Sequence, residues 1–354
     1  MSSGMDTEQR IAARIKQGLL GRWYVIAKSG DVHPGKPCRV RALSRELVLW
    51  RGADGHVRCV EDRCPHRGAR LSRGAIVGDD ISCRYHGVTV NGDGKVVDVP
   101  AIANCPLQGR KAVTSYAVRE LSDGIFAYFP SAQHPEPREL DLPHELASDE
   151  YATFLCSAPW SCNYHYVLDN LVDPMHGIYL HADTFTLGEG IRQDTVRLQE
   201  TPQGFIANRV GQQGVNLDWV EAVVHGSMIY NRVIIPYPPA GGPGGPMIVI
   251  PCVTPVDEST CRLFFWRTRK VSDLEREVWR FVFRALFESR HWYVLEQDRD
   301  ILVSLPDDAR AHEHLYQHDV GVARIRRLIE KHAKDQIEIE DQGAALATSS
   351  IARR

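Results

Sequence analysis

The sequence has no apolar run near the ~20 residues that a membrane-spanning helix needs, so no membrane-embedded role is expected. It has little net charge. Forty-two Lys and Arg stand against 45 Asp and Glu, a balance of −3, which gives no bulk electrostatic reason to expect nucleic acid or an anionic membrane as partner. The opening MSSGMDTEQRIAARIKQGLL spreads charge through itself and lacks an apolar signal core, so export is not expected. A Cys-x-x-Cys pair, the usual opening of a zinc ribbon, is missing. The nine cysteines are odd in number and scattered from Cys38 to Cys261, unlike a secreted disulfide framework. A reducing cytoplasm is therefore the expected compartment. No repeat or low-complexity tract is evident. What is present, 43% hydrophobic and 25% charged residues over 354 positions, is ordinary for a folded chain of two domains or one large one.

From about 20 to 130 the pattern is short β-rich runs separated by Gly, Asp and Asn turns, as in Trp23–Ala27, Glu46–Trp50, Val57–Glu61 and Gly124–Phe129. Asn91-Gly92-Asp93-Gly94 is a turn between Val88–Val90 and Val96–Val99. A polar, proline-bearing stretch to about Glu150 reads as a linker. A strand-like run, Tyr151–Pro159, and a helical one from Asn163 to about Tyr179 follow. Strand-like runs then return at Thr195–Leu198, Gly204–Val210, Ile229–Ile235, Met247–Val253 and Arg262–Thr268. Pro238–Gly245 is too rich in Gly and Pro for a regular element. Ser272-Asp273-Leu274-Glu275 reads as a capping box. It opens a long helix to about Leu305, with Val278, Phe281, Val282, Ala285 and Leu286 as the inward face. A second helix is expected from Val320 to Lys334, and a loose tail over 337–354.

Two motifs carry chemistry. Cys64-Pro-His66 is followed, sixteen residues on, by Cys83-Arg-Tyr-His86-Gly87. Two thiolates and two imidazoles can hold one zinc. They can equally hold a Rieske [2Fe–2S] cluster, with both Cys on one iron and both His on the other. Each half-motif here supplies one Cys and one His, with Gly68 and Gly87 just beyond, and this order fits the cluster better. Cys59 and Cys105 read as neighbours of that set, and the remaining cysteines as core residues.

The second constellation is Asp169-Asn170-Leu171-Val172-Asp173-Pro174-Met175-His176, with His181 five residues further. Two imidazoles and one carboxylate are the raw material of a non-haem iron site with open positions. A five-residue step does not share a face on a continuous helix, but Gly177 permits a bend, and Pro174 can start a new turn with Asp173 as its cap. Glu296, Asp298 and Asp300 are the candidate carboxylates. Asp298 has Val294 and Leu302 four residues to either side, the inward face, where an unpaired carboxylate is costly unless it meets a cation.

Together the two motifs resemble the terminal oxygenase (α) subunit of Rieske non-haem iron oxygenases, a likeness covering about residues 20 to 335. The resemblance implies an α+β chain. An N-terminal all-β Rieske domain with an N-terminal helix would take 1–135, a linker 136–150, and a helix-grip catalytic domain of antiparallel sheet and helices 151–336. It implies that Cys64, Cys83, His66 and His86 hold the [2Fe–2S] cluster and that His176, His181 and Asp298 hold a mononuclear Fe(II). Asp173 would be the carboxylate linking a cluster histidine to an iron histidine across a subunit boundary. Asn170 would lie close to the iron. Ala69 and Tyr85 stand where respiratory Rieske proteins carry a disulfide beside the cluster, which points to a low-potential, oxygenase-type centre; Val88 replaces a frequent Trp.

The expected activity is O2-dependent hydroxylation of a small aromatic or heteroaromatic compound, as ring mono- or dihydroxylation or O- or N-dealkylation. A ferredoxin or NAD(P)H-dependent reductase would be the partner, and a head-to-tail homotrimer the assembly. Substrate contacts are expected from Asn216–Trp219, Tyr230, Asn231, Ile248 and Trp292. The competing readings are an electron-transfer protein without oxygenase activity and a colourless zinc-binding interaction protein.

Overall fold

The computed structural model describes residues 5–184, 187–237 and 243–351, the last eight by backbone alone. Residues 238–242 of the Gly/Pro-rich segment lie outside the described residues. The chain forms two compact units, one of 20–138 with 254–257, the other of the remainder.

The first unit is all β. Its strands are β1 (Arg22–Lys28), β2 (Cys38–Ala42), β3 (Arg45–Arg51), β4 (Val57–Glu61), β5 (Ala75–Val77), β6 (Asp80–Ser82), β7 (Thr89–Val90), β8 (Val96–Asp98), β9 (Ser115–Tyr116), β10 (Val118–Leu121) and β11 (Gly124–Phe129). They make a three-stranded sheet β1-β11-β10 and two four-stranded sheets, β2-β3-β4-β9 and β5-β6-β7-β8. GIFAYF of β11 is buried at every position and lies between two neighbours, as a continuous apolar run should when both faces of its strand are covered. A second core of Val48, Trp50, Leu71, Ile81 and Val90 includes Cys64 and Cys83, so the loop bases are anchored in apolar packing. Cys105 borders the apolar core that holds the motif cysteines, and Cys59 belongs to the neighbouring core.

The second unit carries helices α1 (Thr7–Gln17), α2 (His144–Ala147), α3 (Tyr164–Leu171) and α4 (Gly177–Leu180). Its strands are β12 (Tyr151–Trp160), β13 (Val196–Thr201), β14 (Gly204–Arg209), β15 (Trp219–Val223), β16 (Tyr230–Ile235), β17 (Met247–Pro255) and β18 (Cys261–Lys270). Helices α5 (Asp273–Val282), α6 (Glu288–Ser304), α7 (Ala309–His312) and α8 (Val320–Ile351) complete it. The seven strands form one antiparallel sheet, ordered β12-β18-β17-β16-β15-β14-β13. Large antiparallel sheet plus helices is the expected catalytic architecture.

Several boundaries differ from expectation. Helix α1 groups with the second unit, not the first: Arg14 reaches Gln336 and Glu340 at 2.7 and 2.9 Å, and the Tyr164 hydroxyl donates to the Ile15 carbonyl at 2.7 Å. The same contacts explain why the expected loose tail is helical over its described residues, 337–351. Helix α8 runs on past Lys334 because Ile325, Leu328, Ile329, Ala333 and Ile337 continue one buried stripe. The segment read as a linker contains α2, whose buried Glu145 pairs with Arg232 at 2.5 Å.

The long helix after Ser272 is broken by a π-helical stretch, Phe283–Phe287. Ser272 holds the N-cap position, but its side chain makes no capping bond. The buried residues are Trp279, Phe283 and Phe287, whereas Val278, Phe281 and Leu286 are exposed, Phe281 at 74%. Both stripes have helical spacing. The aromatic one wins because its rings fill a pocket beside Ala152 and Phe154, with Phe283 stacked on Phe154 at 4.1 Å.

Candidate metal centres

The Cys64 and Cys83 loops are built alike. The Cys64 N–H donates to the Ala69 carbonyl at 2.7 Å and the Gly68 N–H to that of Cys64 at 2.9 Å. In the other loop, Cys83 donates to Val88 and Gly87 to Cys83, both at 2.9 Å. Closing each turn requires a left-handed residue, supplied by Gly68 at φ 75° and Gly87 at φ 73°. Both cysteines are buried, their sulfurs within hydrogen-bond reach of each other, while His66 and His86 are exposed with ring centroids 4.7 Å apart. Burial pushes the Cys64 thiol up; the backbone N–H groups of His66 and Arg67 act in the opposite sense. Donors aimed at a cluster sulfur ligand are one means of tuning its potential. Tyr85 lies over His86 with centroids 4.0 Å apart. A paired thiol set beneath a paired imidazole set fits the two-iron cluster.

In the second unit the helical run expected over Asn163–Tyr179 is split. Asn163 caps α3, its side chain accepting from the His165 N–H at 3.1 Å. The chain then bends, Asp173 Oδ1 accepting from the Met175 N–H at 2.7 Å, before α4 begins. The bend brings the two imidazoles to Asp298 of α6. His176 Nε2 lies 3.6 Å and His181 Nε2 3.4 Å from Asp298 Oδ1, and one ligand atom from each residue lies within 4.8 Å of the others. Asn170 Nδ2 donates to that same oxygen at 3.3 Å. Glu296 and Asp300 turn outward to Arg299, at 2.5 and 3.5 Å, so Asp298 is the carboxylate brought to the histidines.

The far nitrogen of each ring fixes its tautomer. His176 Nδ1 is 2.6 Å from the Asp173 carbonyl, and His181 Nδ1 is 3.0 Å from Gln297 Oε1. Both acceptors require an N–H at Nδ1, which leaves the Nε2 lone pairs converging on a carboxylate. Burial opposes charge on His181, but Asp298 and Gln297 outweigh it and raise its affinity for a proton. A set of acceptors aimed at one point, each held from behind, suits a cation. The Asp173 carboxylate is partly exposed, with Oδ2 3.9 Å from His176 Nδ1. Asp169, in the same sequence run, is not part of this set: Arg310 and Arg326 hold it at 2.5 and 2.7 Å.

Sequence reading missed the support behind His181. Gln297 Nε2 donates to Asp183 Oδ1 at 2.9 Å, and the Tyr293 hydroxyl donates to Oδ2 at 2.6 Å. These two bonds hold the Asp183 carboxyl below its ordinary range. The available signal was adjacency, since Gln297 precedes Asp298 and Asp183 follows His181 by two. The triad opens on a cavity of about 100 Å³, walled by Leu217, Val233, Ile235, Met247, Val249 and Phe265 together with Arg267 and His291. Among the expected substrate contacts only Leu217 lines it. Ile248 faces away because side chains alternate along β17, and Asn216 instead ties down a loop through the carbonyls of Leu187 and Glu189.

Comparison with known proteins matches residues 22–117 to the family model for the Rieske [2Fe-2S] domain and residues 160–335 to that for the vanillate O-demethylase oxygenase C-terminal domain. The vanillate O-demethylase oxygenase subunit of Pseudomonas sp. (strain HR199 / DSM 7063) is 32% identical over 171 residues, 46% of this chain and 45% of that protein. Protein TIC 55 of Arabidopsis thaliana chloroplasts is 28% identical over 163 residues, 46% and 30% respectively. The chain thus matches less than half the length of these relatives. Among solved structures, the terminal oxygenase of carbazole 1,9a-dioxygenase from Nocardioides aromaticivorans IC177 superposes with a TM-score of 0.78 at 18% identity, covering 93% of this chain and 98% of that one. Dicamba monooxygenase bound to dicamba gives 0.68 at 21%, covering 90% and 98%. At such identities the superpositions establish a shared fold.

Proposed function

Because this chain belongs to the Rieske-type terminal oxygenases, we propose that it is the oxygenase component of a multicomponent system hydroxylating a small aromatic or heteroaromatic substrate. Ring hydroxylation and O- or N-dealkylation through a hydroxylated carbon are both within reach. In the monooxygenase form, substrate C–H, O2, two electrons and two protons give C–OH and water. The observation that carries the reading is the convergence of His176, His181 and Asp298 at the wall of an apolar cavity. When bound, a Rieske cluster supplies electrons singly and a ferrous ion with open positions activates O2. Cys64, His66, Cys83 and His86 would hold the first, and His176, His181 and Asp298 the second.

The remaining residues have definable work. Gln297 and the Asp173 carbonyl orient the imidazoles, Asn170 orients Asp298, and the aliphatic wall excludes water from the reacting centre. The partly exposed Asp173 carboxylate beside His176 suits a contact with a neighbouring subunit of a homotrimer. The electron source would be a ferredoxin or an NAD(P)H-dependent reductase; related structures named as oxygenase–ferredoxin complexes of carbazole 1,9a-dioxygenase support this class of partner. All nine cysteines are free, in keeping with a reducing cytoplasm. No helix among the described residues is long and apolar enough to cross a membrane.

The test is turnover of a panel of aromatic acids, ethers and amines with a reductase, NADH and 18O2. Label in a hydroxylated or dealkylated product supports the reading. NADH oxidation without substrate-dependent oxygen uptake across the panel would leave a Rieske electron carrier instead.

A further inference from the structure

The cavity wall holds one group that the chemistry above leaves unused. Arg267, on β18, is 2% exposed, and its guanidinium lies 5.6 Å from the ring centroid of Phe265 and 5.7 Å from those of Phe283 and Trp292. Its Nη2 is buried and finds no acceptor, and among the described residues no carboxylate lies within ion-pairing distance. Elsewhere the same sheet provides for such a group: Arg209, also buried, has Asp194 at 3.2 Å and Asp218 at 3.9 Å. Burial lowers the proton affinity of Arg267, yet a guanidinium stays charged in proteins. An unpaired buried charge is costly, and the cost is recovered when an anion arrives. The neighbouring His291 does not compete for it, because burial and Arg267 hold its pKa down at about 3, and its Nε2 is engaged by the Tyr237 hydroxyl at 2.7 Å.

Strand alternation puts Phe265 and Arg267 on one face, and both line the cavity that His176, His181 and Asp298 also line. A volume of about 100 Å³ is of the order of the ~150 Å³ apolar cavity that takes one benzene ring. We propose that Arg267 anchors the carboxylate of a monocyclic aromatic acid, held in this cavity with its ring against the aliphatic wall and its reacting end toward Asp298. The planar fork of arginine matches a carboxylate in two parallel hydrogen bonds. As to the reaction, the assignment rests on the oxygenase reading; as to binding, it does not.

The test is isothermal titration of the full-length, iron-loaded protein, without reductase, using 4-methoxybenzoate, benzoate and their neutral amides. The wild type should prefer each acid over its amide by about 30-fold or more. Arg267→Met should lower acid affinity on the order of 100-fold, the range expected when one partner of a buried charge pair is removed, and leave amide affinity within a few-fold. Arg267→Lys should fall between. Because Met removes an unpaired charge from an aromatic slot, the ligand-free variant should melt no lower than wild type, which separates lost binding from lost folding. No acid preference in the wild type, no binding of either acid, or a preference that survives in Arg267→Met would overturn the assignment. Acid preference in this titration with no oxygen uptake in the reductase-coupled panel would keep Arg267 as the anchor and sink the oxygenase reading; turnover of neutral aromatics in that panel with no acid preference here would do the reverse.

Discussion

Asn170 and Asp298 meet through a single oxygen: Asn170 Nδ2 donates to Asp298 Oδ1 at 3.3 Å, and that oxygen also faces His181 Nε2 at 3.4 Å and His176 Nε2 at 3.6 Å. The amide thereby fixes which carboxylate oxygen looks at the histidines. Asn170→Ala removes a bond to a charged group, of about 1.5–3 kcal/mol, and frees the carboxylate to rotate. Iron affinity of the second unit should fall roughly tenfold or more, read by competition with a chelator, while the visible spectrum of the Rieske cluster stays unchanged.

Gln297→Leu leaves His181 Nδ1 without its acceptor and takes from Asp183 one of its two side-chain donors, leaving the Tyr293 hydroxyl. Loss of such a partner costs about 10–100-fold in metal affinity. The same chelator titration checks this, and Gln297→Glu, which restores an acceptor, should recover part of the loss.

A buried histidine makes the fold sensitive to acid. His165 is held neutral with its pKa lowered to about 3, by burial first and then by Arg310 and Arg326. Between pH 6.5 and about 3 the unfolded chain therefore binds a proton there that the folded chain does not. The stability contribution is complete above pH 6.5 and is lost as pH falls, at about 1.4 kcal/mol per pH unit. His165→Leu should flatten the decline of the urea midpoint between pH 6.5 and 5 relative to wild type.

Helix α8 is held just past Lys334 by the packing of Ile337, so Ile337→Ala should destabilise the protein by about 2–5 kcal/mol. An unchanged melting temperature would mean that the stripe beyond Lys334 bears no load.

How far the sequence reaches is uneven, for physical reasons. Ligand spacing is local chemistry, so Cys64, His66, Cys83 and His86 stood out, as did His176 and His181. Asp298 emerged because its apolar neighbours at i±4 describe a helix face. Short continuous apolar runs, as in Glu46–Trp50 and Met247–Val253, were legible as strands because both faces of each are buried. Helix phase around the π-helical stretch was not, because Val278, Phe281 and Leu286 share the period of Trp279, Phe283 and Phe287, and only the partner surface at Phe154 decides between them. The end of α8 depended on α1, more than 300 residues away in sequence. The isolation of Arg267 is a property of its tertiary neighbours and has no local signature.

The central claim is that His176, His181 and Asp298 hold the oxygen-activating iron, separate from the cluster. The most direct measurement is substrate-dependent oxygen uptake by His176→Ala alongside its visible absorption. The account predicts an unchanged Rieske spectrum and oxygen uptake reduced to background. Uptake persisting at the wild-type rate would contradict it.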